Sequence, residues 1–351
     1  MFYRAKFGAA DKFLYGIFGV QYRGEEPAGQ QAELIDQFEN LIKDKTHIDR
    51  IVYPSDGGLG TRIWLSYWRP ETYTDWWTSQ PVKSFWDSLP ENAGIWREVL
   101  TVTPTRNQNA VTAENKNGLN GLGEKEMFSE KIGYWGCLRD RIPESTPDDQ
   151  LMSPLDAVPE GVYETDTIRP GRTVITDLPD NICFLVEGQD HSLMTPVEKK
   201  HWFDEFDELV SGWMQDLGKN TRENGLLSVR MGYVPEFGRF KESGPINLSH
   251  NRKIELFYWL DMKKFERIGR VHRGHIKLRK KWMDDYCPVG KMGNGVGKIC
   301  LWEETSIMKN NEIEAEYVGC REGTGFMAYD KSGVIKTRYR TVLPLRQQRA
   351  I

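Results

Sequence analysis

Residues 270–282 read RVHRGHIKLRKKW and hold two of the chain's six histidines, three apart. An imidazole in such a setting packs in an ordinary helix, joins a basic patch that binds nucleic acid, or ligates a metal. Helical spacing puts Phe265, Ile268, His272, His275 and Trp282 on one apolar face, so both histidines point where a core residue or a ligand is wanted. Two glutamates raise a parallel question. In ICLWEETSI (299–307), strand alternation groups Glu303 with Ile299 and Leu301; in ICFLVEGQ (182–189), it groups Glu187 with Cys183 and Leu185. A carboxyl on an apolar strand face has its pKa raised by burial, which suits it to giving and taking protons near neutral pH. The plain alternative is that both point outward from strand edges.

The elements that must position these groups come in two similar runs. GIFGVQYRG (16–24) alternates as a strand, AELIDQFENLIKD (32–44) has apolar residues at helical spacing, and TRIWLSYWRP (61–70) is a strand ended by proline. A Trp-rich helical stretch (71–89) and the strand GIWREVLTVTP (94–104) close the run. The order recurs as strand 181–189, helix 195–217, strands 226–234 and 253–261, a helical region from Met262 to Tyr286, and strands 298–307 and 313–322. Tyr67-Trp68 then aligns with Tyr258-Trp259, and Trp96 with Trp302. This duplication predicts an α+β fold of two ferredoxin-like halves, related to a dimeric α/β barrel made within one chain, with antiparallel sheets and flanking helices. The expected divisions are an N-terminal half at 13–106, an irregular Asn-, Gly- and Pro-rich connection at 107–180 with only IGYWGCLRDR ordered, and a C-terminal half at 181–327.

Composition narrows the partners. A net charge of −4 over 351 residues gives no global attraction to an anionic polymer, and the basic cluster Lys277, Arg279, Lys280 and Lys281 has no stacking-aromatic motif beside it, so nucleic acid is not expected. No apolar stretch is long enough for a membrane helix, and Lys6, Asp11 and Lys12 interrupt any signal-peptide core, which predicts a cytoplasmic protein. The five scattered cysteines read as free thiols. Cys287-Pro288 is a rival iron-ligand motif, or simply a turn. Twelve tryptophans suit either a large core or a planar apolar ligand. Flavin or nicotinamide binding is disfavoured, because the glycines of GKMGNGVGK (290–298) lack the strand-to-helix fingerprint.

Seven landmarks occur in order: GVQYRGE (19–25), WWTSQ (76–80), GYWGCLRDRIP (133–143), DNICFLVEGQD (180–190), His272-x-x-His275, LWEETSI (301–307) and EYVGCREGTGF (316–326). Together they resemble the haem-containing aldoxime dehydratases, particularly the phenylacetaldoxime type. The resemblance implies a lyase that converts an aldoxime, R–CH=N–OH, to a nitrile and water on ferrous haem b. It implies that His275 ligates the iron, and that Arg141 holds the oxime hydroxyl as a permanent cation. His272 is left as a packing or supporting residue, and Gly274 as a place where a flat macrocycle comes close. Glu187 stands where many members have a hydroxyl residue, and Glu303 where they have a histidine. Both replacements are carboxylic acids able to recover acid–base chemistry, Glu303 being the expected acceptor of the C–H proton. The alternatives are a related haem enzyme acting on another N–O or peroxide substrate, a haem carrier or sensor, and a binding protein without haem. An aldoxime is the expected small-molecule partner, and a homodimer is left open.

Overall fold

The computed structural model describes residues 2–55, 57–129, 138–219 and 221–340, along which strands β1–β14 and helices α1–α7 are numbered in chain order. The described residues fall into two compact units, one within 1–11, 103–158 and 180–308, the other within 12–102, 159–179 and 309–340.

In the second of these units β2 (Phe13–Arg23) lies between β4 (Leu59–Trp68) and β5 (Ile95–Val102), and β3 (His47–Ser55) pairs with β4, giving the antiparallel order β5-β2-β4-β3. Patterning names no strand at 47–55, where Asp49 and Arg50 interrupt the apolar alternation. Helix α1 (Gln30–Ile42) packs Leu34, Phe38 and Ile42 onto one sheet face with Phe18, Trp64 and Trp68. The Trp-rich stretch forms α2 (Pro70–Thr78) and α3 (Gln80–Asp87), divided at extended Ser79 ahead of Pro81, which cannot donate into a continuing helix. Their Trp76 and Phe85 complete an aromatic cluster around Phe38.

The other unit repeats the plan. β9 (Ile182–Asp190) lies between β11 (Arg252–Trp259) and β12 (Cys300–Met308), with β10 (Leu226–Tyr233) beyond β11. The order β12-β9-β11-β10 matches β5-β2-β4-β3 element for element. Each expected long helix again breaks in two: α4 (Pro196–Glu205) and α5 (Asp207–Lys219), then α6 (Met262–Val271) and α7 (Arg273–Tyr286). The duplicated tryptophans hold equivalent register positions, Trp96 opposite Gly19 and Trp302 opposite Gly188. At both glycines a Cβ would overlap the facing indole, so each large ring requires its glycine partner.

Two expectations change here. The 107–180 connection carries three strands: β6 (Asn107–Val111), β7 (Glu124–Phe128) and β8 (Arg172–Asp177). β6 extends the sheet beyond β12 and pairs with β1 (Phe2–Lys6), which pairs in turn with β7. The run Asn107-Gln108-Asn109 has a loop's composition, but all three are buried because their amides are used: Asn107 Nδ2 donates to Ser306 Oγ (2.9 Å), and Asn109 Oδ1 accepts from the Ala5 amide (2.8 Å). The strand at 313–318, assigned by sequence to the C-terminal half, is β13 (Ile313–Val318), and it pairs with β5, with β8 and then β14 (Lys336–Arg340) following outward. Nothing local encodes this exchange; it satisfies edge strands that would otherwise keep unpaired backbone groups. Of the ordered stretch expected at 132–141, residues 132–137, including Cys137, lie outside the described residues.

Candidate functional site

The register of unit 180–308 sets three carboxyls side by side. Glu187 on β9 is directly opposite Glu303 on β12 and directly opposite Glu255 on β11, so one transverse row reads Glu255, Glu187, Glu303. Cross-strand neighbours of this kind have Cβ atoms about 5 Å apart. The row lies on the helix-covered face, which it shares with Cys183, Leu185, Phe257 and Trp259.

Between that face and helices α5–α7 runs a cleft with about 740 Å³ of empty space, counting its open mouth. Glu187, Gly188 and Gln189 line one wall, with Leu301 and Trp302; Trp213, Met214, Phe265, Ile268 and His275 line the other. Burial pushes the half-buried Glu187 carboxyl up to about 7.

His275 is set by its neighbours on all sides. His272 is the non-helical residue between α6 and α7, and its Nδ1 accepts from the His275 amide (3.3 Å), capping the helix that carries His275. The His275 ring meets Gly269 O through Nδ1 (2.8 Å). That carbonyl can only accept, so Nδ1 carries the proton and Nε2 the lone pair. Burial lowers the His275 pKa, the Gly269 bond partly offsetting it, and the ring stays neutral near pH 7. Gly269 lines the cleft, and a Cβ there would stand 3.4 Å from His275 Cε1. The expected role of Gly274 moves accordingly: its missing Cβ faces the His272 ring, and it does not line the cleft. The two histidines therefore separate experimentally. His272→Ala should lower stability by about 1 kcal/mol through loss of the cap while the protein keeps its cofactor, as read by thermal melts and absorption spectra.

Glu303 is fully buried and does not line the cleft. Thr305 Oγ1 donates to one carboxyl oxygen and Gln108 Nε2 to the other, while Gln108 Oε1 accepts from Arg141 at 3.1 Å (Nε) and 2.8 Å (Nη2). Arg141 is thus joined to Glu303 through one amide. Burial pushes Glu303 up to about 8, against the pull of these hydrogen bonds and of the Arg141 charge, and Glu187 raises it further. Arg141 itself lines a second, polar cleft with Arg4, Lys6 and Asn109. The structure thus places Glu187 and His275 on one cleft, with Glu303 beside Glu187 across the strand pair; Arg141, expected to hold the oxime hydroxyl, lines the other cleft instead.

Within the basic run Lys281 pairs with Glu205 (3.0 Å) and Asp285 (3.1 Å), and Lys277 and Lys280 line a cleft together with Asp204 and Glu208. Cys287 is a free thiol at the C-cap of α7 and does not line the cleft. Cys183, Cys300 and Cys320 are also unbridged. Among the described residues no helix is long and apolar enough to cross a membrane. Sequence reasoning missed Gln108, Thr305, Gly269 and Glu255. Only Glu255 left a signal, as the one acidic residue inside the apolar strand KIELFYW.

An apolar slot with a neutral imidazole on one wall and a proton-holding carboxyl on the other has the chemistry of a haem enzyme that works by acid–base catalysis: the walls are lined by aromatic and aliphatic side chains, and His275 has the tautomer a ligand needs. Residues 16–326 match the family described as haem-containing dehydratase, and the chain belongs to that family. It is 26% identical over 324 residues to phenylacetaldoxime dehydratase of Bacillus sp. (strain OxB-1), covering 90% of this chain and 87% of that protein. It is 28% identical over 337 residues to aliphatic aldoxime dehydratase of Rhodococcus globerulus, covering 91% and 89%. The fold is that of a crystallised aldoxime dehydratase in complex with butyraldoxime, with TM-score 0.73, 21% identity and coverage of 93% and 88%.

Proposed function

We propose that this dehydratase converts an aldoxime to a nitrile and water with haem b held by His275, and that its substrate side chain is aryl-aliphatic. The observation that carries the reading is the Glu187–Glu303 pair: a half-buried and a fully buried carboxyl directly opposite each other across a strand pair, the first on the wall of the slot that also holds His275. The aromatic lining of Trp202, Trp213, Phe265 and Trp282 supports an aryl group. Named relatives of both the phenylacetaldoxime and the aliphatic type give the activity its precedent.

Haem held by His275 would supply a ferrous iron able to weaken the oxime N–O bond. The protein manages the protons. Glu187 in its acid form gives a proton to the hydroxyl, which leaves as water with the N–O bonding pair. The carbon-bound hydrogen departs as a proton to the Glu187 carboxylate as C≡N forms, so the acid is regenerated and no net proton or electron is consumed. Glu303 exchanges protons with Glu187 from across the strand pair and keeps it supplied. Arg141, a permanent cation linked through Gln108, stabilises Glu303 when it is ionised. Free thiols and a reduced iron fit the cytoplasm, and the oxime is the one partner this reading requires.

The test is absorption spectroscopy of the purified protein, oxidised and dithionite-reduced, followed by phenylacetaldoxime and butyraldoxime added without oxygen while nitrile is measured. A haem band shifted by oxime, with nitrile formed only from reduced protein and faster from the aryl substrate, is the expected outcome. A haem band without nitrile would favour a sensor or an altered enzyme.

A further inference from the structure

The carboxyl row does not end at Glu187. Glu255, 1% exposed, sits on the side of Glu187 opposite to Glu303, and its Oε2 has no hydrogen-bond partner. Two residues along the same strand face is Lys253, 3% exposed, whose Nζ donates to His250 O (3.1 Å) and stands 5.3 Å above the Phe240 ring. Burying a carboxyl and an ammonium in this way costs several kcal/mol per group unless they serve each other.

The duplicated unit supplies an internal control. The register that aligns Tyr67-Trp68 with Tyr258-Trp259 sets Trp64 against Glu255 and Arg62 against Lys253; the Gly19 and Gly188 match sets Phe18 against Glu187; and the Trp96 and Trp302 match sets Arg97 against Glu303. There the equivalent row is Trp64, Phe18, Arg97, and its aromatic members are closed over by Phe38 and Trp76. The fold therefore needs no acid at these positions, and the three together mark the unit that has the slot.

We propose that Glu255 and Lys253 form a proton store for Glu187, making Glu255 a positioning residue of the reaction. Between turnovers, when Glu187 has lost its proton to solvent and no substrate proton is there to restore it, the Glu255 acid passes one across the strand pair. The O–H bond on Glu255 breaks, one forms on Glu187, and the Glu255 carboxylate left behind is matched by the Lys253 cation. The reverse transfer refills Glu255 when Glu187 next takes up a proton from water, so the C–H step still finds Glu187 as a carboxylate. The groups bearing on this pair are Glu187 on β9 and Lys253 on β11; Met231, opposite on β10, is uncharged; and Asp190, Asp207 and Lys241 act on Lys253. Burial first, and then the Glu187 charge, raise Glu255, while Lys253 lowers it.

This inference rests on the dehydratase reading, so its test separates the two. The carboxylic C=O infrared band of Glu255 is assigned in haem-free protein by its loss in Glu255→Gln and titrated with pH. In Glu187→Gln the midpoint should fall by about one unit, because a neighbouring negative charge is removed; in Lys253→Met it should rise. In the haem-loaded enzyme, Glu255→Gln should lower kcat about tenfold with KM unchanged. A midpoint that neither variant moves, or an unchanged kcat, overturns the store. If Glu255→Gln fails to fold, the opposite shifts of the remaining titrating band in the other two variants decide the matter. Coupling without nitrile formation in the wild type would instead overturn the dehydratase reading and leave the coupled pair standing.

Discussion

His275→Ala yields a folded protein that no longer holds haem at micromolar concentrations, the largest effect expected of any single replacement. The loss should exceed the roughly 10–100-fold that removing an outer-shell partner of a metal ligand costs, since the replacement removes the proposed ligand itself. The fold should survive, because His275 is half-buried and its ring makes its hydrogen bond to the backbone at Gly269 rather than to a core network. Titrating haem into the variant while following the absorption band measures the loss directly. His275→Gly with free imidazole should regain the band, because the small base fills the vacated position. A variant that kept its haem spectrum without imidazole would shift attention to Cys287.

The second large effect is on turnover. Glu187→Gln keeps the shape of the slot and removes its only carboxyl among the residues that line it, so the haem band should remain while kcat falls by about 10²–10⁴. The pH dependence carries the same information. With its pKa raised to about 7, Glu187 holds its proton below that pH and gives it up above, and Glu303, raised to about 8, follows. Nitrile formation should therefore fall as pH rises through 7 to 8, and the limb should vanish in Glu187→Gln, where no such proton exists to lose. An alkaline limb unchanged in the variant would assign it to another group. Because the pair titrates together, the measured midpoints belong to both carboxyls rather than to either one.

Much of the fold was legible because duplication left matched pairs at fixed register. Tyr67-Trp68 and Tyr258-Trp259 end β4 and β11, and Trp96 and Trp302 each face a glycine. The exchange that pairs β13 with β5 and β6 with β12 was not legible, because strand partners are chosen over long sequence separations by which edges lie open. β6 was hidden for a second reason: its burial rests on satisfied amides, and polarity patterns record apolar burial only. In the site, alternation alone put Glu187 and Glu303 on an apolar face. It groups Glu255 with Lys253, Phe257 and Trp259, and with two charged members that face does not read as a buried one. Gln108 was beyond reach, since its importance lies in bridging Arg141 and Glu303, residues 33 and 195 positions away.

The unequal filling of the two halves has a consequence for how such a chain can change. In a symmetric pair of identical subunits every substitution appears twice, so a core position cannot become a reaction site in one copy while remaining a stabilising aromatic in the other. Fusion of the copies removes that constraint. Trp64 and Phe18 can go on anchoring one half while Glu255 and Glu187 occupy the matching positions in the other. Symmetry breaking of this kind lets half of the chain supply rigidity and leaves the other half free to bear the instability of buried acids.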